Sequence, residues 1–267
     1  MLSPHRFIAR AINARALLAA AALAGVAGAT PVVAAAEPQM NGDFPLRMDE
    51  ASVAEKGQLT AFLPVRYLHL DDDTDQVQVL PEVDYGLFKN IELVARVPIL
   101  AGNADSAGGG DLQLGVKWQI LEQSREADAW MPDLSLDAQV LVPTGEDSAG
   151  LDTQLQLLVT MPIGPEETQD ALHLNLGWVR NSGRASDERE NRGIVILGYS
   201  RLLSQRTMLL VDLVRELDGE EDAETNLIEI GIIHVLGEHL QLGVGIGAGI
   251  GDESPDLVGT VGLQYGF

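Results

Sequence analysis

The sequence predicts an all-β protein, a single antiparallel transmembrane β-barrel of outer-membrane type with about twelve strands. Three observations carry that expectation. Apolar and polar residues alternate in twos along most of the chain after residue 57. The alternating segments run to about ten to thirteen residues, longer than the five or six of an ordinary globular strand and suited to a tilted membrane crossing. Aromatic residues, only 4% of the chain, fall toward the segment ends: Tyr67 and Trp178 at one predicted rim, Tyr85, Trp118, Tyr265 and Phe267 at the other.

The first 36 residues stand apart from this pattern. Arg6, Arg10 and Arg15 precede an apolar run from Ala16 to Val26, and Ala34, Ala35 and Ala36 lead into Glu37. The arrangement predicts a secretory signal peptide over 1–36, cleaved near Ala36. Gly25, Gly28 and Pro31 weaken the alternative of a membrane anchor. Residues 37–56 are expected to be a periplasmic tail or partial plug, and 57–267 the barrel.

The chain has 17 basic and 40 acidic residues, a net charge of −23. Loss of the leader's three arginines takes it to −26, which excludes nucleic acid as a natural partner. There is no cysteine, so stability outside the cytoplasm has to come from packing alone.

The strands follow in order. Leu59, Ala61, Leu63, Val65 and Tyr67 alternate with Thr60, Phe62, Pro64 and Arg66; Val77, Val79, Val83 and Tyr85 alternate with Gln76, Gln78, Glu82 and Asp84. Further segments are expected at Ile91 to Ile99, Leu112 to Ile120, Leu134 to Val142, Leu151 to Ile163, Leu172 to Trp178, Ile194 to Leu202, Thr207 to Arg215, Ile228 to Leu236, Leu240 to Ile250 and Leu257 to Phe267. An even count places both barrel ends on one side, so connections should alternate between short turns and longer loops. Lys89-Asn90, Ser204-Gln205 and Gly237-Glu238 read as inner turns. DDDTD, AGNADSAGGG, TGEDSAG, NSGRASDERENR, DGEEDAET and GDESPD read as outer loops, and EQSREADAWM and GPEETQD are inner connections of unusual length.

The two faces of the strands differ. Leu, Val and Ile dominate one, whereas the other carries charges of both signs. Arg66, Glu82, Asp84, Glu92, Arg96, Lys117, Asp137, Arg201, Asp212 and Glu229 are the expected lumen-lining residues, as structural salt bridges or as a polar path. The stripe Gly243, Gly245, Gly247 and Gly249 in GVGIGAGIG has a glycine at every second position and lacks the offset of a nucleotide loop. It predicts tight inner packing or a wider wall. GDLQLGVK misses the phosphate loop, with Val116 where lysine is needed and Trp118 where serine or threonine is needed. DDDTD and DGEEDAE lack calcium-loop spacing and read as solvated tips. The five histidines include no pair at metal-ligand spacing on a helix, and no nucleophile motif appears. No catalytic residue, cofactor or metal is assigned.

The segments PEVDYGLFKNIELVARVPIL, GGGDLQLGVKW, VLVPTGE and LHLNLGW resemble the bacterial outer-membrane family labelled "MetA-pathway of phenol degradation", and the likeness runs from about Gly57 to Phe267. That resemblance implies a barrel passing aromatic or other poorly soluble small molecules across the outer membrane. Tyr265 and the terminal Phe267 resemble the C-terminal signal read by the barrel-assembly machinery. The implied partners are that machinery, periplasmic chaperones, outer-membrane lipid and lipopolysaccharide. Two other readings share the alternation: a closed structural or surface-interaction barrel, and an exported soluble β-sandwich.

Overall fold

The computed structural model describes residues 37–267 apart from 71–73, 103–107, 123–130, 146–147, 149, 165–167, 184–188, 218–222 and 252. The expected leader over 1–36 lies outside the described residues. So do the centres of DDDTD, AGNADSAGGG, EQSREADAWM, GPEETQD, NSGRASDERENR and DGEEDAET and parts of TGEDSAG and GDESPD.

The chain forms a closed antiparallel barrel of twelve strands. They are β1 (Leu59–Leu70), β2 (Thr74–Val79 and Glu82–Phe88), β3 (Ile91–Arg96 and Ile99–Gly102), β4 (Gly108–Gly109 and Leu112–Leu121), β5 (Asp133–Val142) and β6 (Asp152–Pro162). Then come β7 (Ala171–Arg180), β8 (Asn191–Ser204), β9 (Thr207–Leu217), β10 (Glu224–Val235), β11 (Leu240–Gly249) and β12 (Leu257–Gly266). Each strand pairs with its neighbours in sequence. Closure comes from β1 against β12, in register from Thr60 opposite Gly266 to His69 opposite Leu257. That closure joins the first and last strands, as a barrel in a membrane requires.

The two-part strands have a chemical cause. Proline lacks the N–H that a ladder needs, and Pro81 and Pro98 sit at the interruptions of β2 and β3. A single backbone bond bridges each gap: Leu80 N–H to the Pro64 carbonyl at 3.0 Å, Val97 N–H to Pro81 at 3.1 Å, and Gly110 N–H to Pro98 at 2.8 Å. The breaks therefore line up across neighbouring strands while the wall stays closed.

Outside, the apolar residues of alternate positions form a broad exposed surface that includes Leu63, Val116, Ile230, Ile246 and Val261. A patch of this extent needs an apolar medium to cover it. Trp118, Trp178, Tyr265 and Phe267 are also exposed on this face. The Tyr265 and Phe267 rings meet edge-on at 4.9 Å.

Inside, the barrel is filled by the chain's own residues 37–56. From Gln39, bonded to Gln241 and Gln264, the segment rises to a tight turn. There the Phe44 N–H donates to the Asn41 carbonyl at 2.8 Å, with Asp43 in the left-handed region at φ 67° and a cis bond before Pro45. It returns past Met48, Asp49 and Ala51 to Glu55, whose carbonyl accepts the Gln58 N–H just ahead of β1. Phe44, Leu46 and Met48 are fully buried among Phe62, Ile194, Ile196, Met208, Leu210 and Ile233. Burying each of these three side chains is worth roughly 2 kcal/mol.

The glycine stripe acquires its reason here. A Cβ on Gly243 would stand 3.0 Å from the Phe44 ring, and one on Gly245 would stand 2.8 Å from Leu46 Cδ2 and 3.1 Å from the Pro45 carbonyl oxygen. The expected extra lumen space is therefore absent. Glycine at these positions lets the Phe44–Leu46 backbone approach the wall.

Candidate functional site

The interior has two sides with different chemistry. One is the apolar side just described, built by β8 to β12 and β1. The other, on β2 to β7, is polar and charged and grips the returning arm of the segment.

On the charged side the carboxylates point inward because they occupy the alternate positions opposite the apolar outer face. Asn41 Nδ2 donates to Glu82 at 2.5 Å and to Asp84 at 2.7 Å. Arg96 pairs with Glu82, donates to Asp43 at 2.8 Å and reaches the Gly42 carbonyl at 3.1 Å. Lys117 holds Asp49 with its ammonium 3.1 and 3.2 Å from the two carboxylate oxygens. The Ala54 N–H donates to Glu92. The Asp49 N–H and carbonyl are both held by the Asn175 amide at 2.8 Å. Ala51 is held by Thr160 and by the Ser135 hydroxyl. Among the described residues, small cavities of about 50 and 60 Å³ lie between the segment and the wall, the second reaching Ile194 and Ile196 of β8.

On the other side, Arg47 donates to Glu216 at 2.7 Å and stands 3.2 Å from Asp43. Asp212 accepts the Met48 N–H at 2.9 Å. Arg66 reaches Glu229 at 2.8 Å, and Asp212 and Glu229 lie directly opposite each other on β9 and β10.

Nine of the ten expected lumen residues thus face the interior: Arg66, Glu82, Asp84, Glu92, Arg96, Lys117, Asp137, Asp212 and Glu229. Eight are buried outright and Arg96 is partly buried. Six of the nine touch residues 37–56 directly, through the bonds just given. Arg201 is the exception and corrects the expected phase of β8. Its inward positions are Ile194, Ile196, Gly198 and Ser200, and Arg201 faces outward with 46% of its side chain exposed, 3.7 Å from Asp170. Tyr199, of the same phase, faces outward too and donates to Asp170 at 2.5 Å. The inner face of β8 is apolar because Met48 packs over it, so the rule of polar residues inward fails for that strand.

Glu50 is half-buried at the smaller cavity, and burial pushes its carboxyl up to about 7 against a hydrogen bond from Ser52 and the charge of Lys117. A carboxyl raised in the seated segment binds its proton more tightly there than when free. Its contribution to seating is therefore full at acid pH and is lost as pH climbs from 4.5 to about 7. The effect is about 3 kcal/mol. The melting temperature of the detergent-solubilised protein should fall more steeply between pH 5 and 8 than that of Glu50→Gln; equal slopes would remove this role.

The comparisons with known proteins agree on the fold. No family model matches the sequence, and neither does any curated protein. Among solved structures, the chain is similar to an outer membrane channel from Pseudomonas putida F1, with a TM-score of 0.63 and 14% identity over 81% of this chain and 97% of that one. It is also similar to the KdgM porin, with a TM-score of 0.55 and 9% identity over 78% of this chain and 99% of the porin. The same porin in complex with disordered oligogalacturonate gives 0.52 and 10% identity over 79% and 99%. At these identities the likeness is one of fold, and that fold is the twelve-stranded barrel of outer-membrane channels and porins.

Proposed function

We propose that the protein is an outer-membrane channel for small molecules, aromatic and other hydrophobic ones among them, held closed here by residues 37–56. One observation carries this reading. The lumen is filled by a segment covalently tied to the wall only at β1, not by side chains of the wall itself, and the wall is recessed with glycine to receive it. A barrel meant to stay solid has no need of a separable filling. The likeness in fold to an outer membrane channel and to a porin supports the same reading, as does the sequence resemblance to the phenol-degradation family.

The proposal includes delivery by a signal peptide cleaved near Ala36, assembly by the barrel-assembly machinery with periplasmic chaperones, and recognition of the strand ending in Tyr265 and Phe267. It also includes lipid and lipopolysaccharide as the medium around the exposed apolar band. A second reading, a permanently closed structural barrel, is favoured by the number of bonds that hold the segment. Planar-bilayer recording of the refolded, detergent-purified protein separates them. Discrete conductance steps are expected; silence from a correctly folded barrel would overturn the channel and leave the structural reading.

A further inference from the structure

We propose that the lumen selects cations that carry an aromatic or apolar body over anions of the same shape. This deepens the channel reading and rests on it. The seated segment shows what the wall accepts. Its Phe44 ring lies on Gly243 and Gly262, where added Cβ atoms would stand 3.0 and 2.9 Å from it, and Phe62 meets it edge-on at 5.7 Å. Three residues on, the Arg47 guanidinium meets Glu216. A flat apolar seat on β11 and β12 and an anionic seat farther along the wall, on β9, are therefore both occupied by one short stretch of chain.

The carboxylates beside these seats are incompletely satisfied. Asp212 and Glu229 are both 1% exposed, and each keeps one oxygen with no hydrogen-bond partner, Asp212 Oδ1 and Glu229 Oε2. They face each other in register, and Glu229 lies two residues along β10 from Gly231, which contacts Leu46 and Pro45. Buried carboxylate oxygens without donors favour any cation that reaches them. When the segment leaves, it takes Arg47 with it. Among the described residues, Arg66 stays paired with Glu229 and Arg192 lies two residues along β8 from Ile194, the register partner of Glu216, so three carboxylates outnumber two guanidinium groups next to an apolar floor.

The opposite wall leans the same way. Glu82, Asp84, Glu92 and Asp137 face Arg96 and Lys117, and Asp84 Oδ1 and Asp137 Oδ1 also lack partners. A permeating anion would meet carboxylates on both walls. A permeating cation with a ring would meet in turn, along its path, the two kinds of contact that Phe44 and Arg47 make now.

A gradient of phenyltrimethylammonium benzenesulfonate across a planar bilayer holding the full-length protein tests this, because the two ring ions have opposite permanent charge. The reversal potential should show the cation passing roughly tenfold faster, a difference of about 1.4 kcal/mol. In Asp212→Asn/Glu229→Gln the ratio should fall toward one, while Arg201→Gln, on the outer face, should keep the wild-type ratio. If the double variant fails to assemble, Glu216→Gln should lower the ratio alone. A null or anion-selective potential in the wild type, or an unchanged ratio in the wall variants, overturns the inference. Conductance in potassium chloride with neither ring ion passing overturns this inference alone, whereas silence in both salts overturns the channel reading with it.

Discussion

Gly245→Val should open the barrel without unfolding it. The substitution places a Cβ 2.8 Å from Leu46 Cδ2 and 3.1 Å from the Pro45 carbonyl oxygen, and the added methyl groups reach further. Leu46 can turn aside, but the Pro45 carbonyl moves only with the backbone of the whole turn. Overpacking of this kind costs about 1–3 kcal/mol, and here the cost falls on the seating of residues 37–56. The wall itself is not asked to change. Valine is a better strand residue than glycine, and Val244 and Ile246 on the outer face keep their places. The expected result is a barrel with normal heat-modifiable migration whose conductance is several-fold above wild type and whose residues 37–56 are cut by added protease. Gly259→Val is the control, since a Cβ there meets nothing within 4 Å. Unchanged conductance and protection in Gly245→Val would mean that the glycine stripe does not set the seat.

How much of this could be seen in the sequence depended on which partner each side chain meets. The outer face meets one uniform medium, so its demand for apolar residues repeats every second position and the strands stood out. β10 shows the rule at its cleanest, with Ile228, Ile230 and Ile232 exposed and Leu227, Glu229 and Ile233 buried. The inner face meets a different partner at every level. Where the returning arm offers Asp49 and its backbone, the wall answers with Lys117 and Asn175, and the expectation of charges facing in finds Lys117. Where the segment offers Met48, the wall answers with Ile194 and Ile196, and the same expectation takes Arg201 instead. The glycines of β11 were visible, but only a second piece of chain lying against them explains them. That piece carries one readable hint: Phe44, Leu46 and Met48 stand at every second position, as expected of an extended stretch with one buried face. It was too short, and too close to Pro45, to be told from a tail.

Lys117→Met should loosen the returning arm more than any other single change on the charged wall. Lys117 stands between Glu92 and Asp137, its register partners on β3 and β5, yet it spends its hydrogen bonds on Asp49 of the segment. It is 5% exposed and Asp49 is 8% exposed, so neither charge has water to fall back on. Methionine keeps the length and apolar stem of the side chain while removing its charge, leaving Asp49, Glu92 and Asp137 close together without their ammonium. Taking one partner from a buried pair costs about 3–5 kcal/mol, and the least expensive relief is for Asp49 to leave with the arm that bears it. The expected result is a lower melting temperature together with protease access to residues 37–56. Asp49→Asn is the discriminating partner: it removes one carboxylate and keeps a polar group, so the double variant Lys117→Met/Asp49→Asn should regain part of the loss. Additive losses in the double variant would show that the two side chains act apart, and that the charged wall does not hold the segment through this pair.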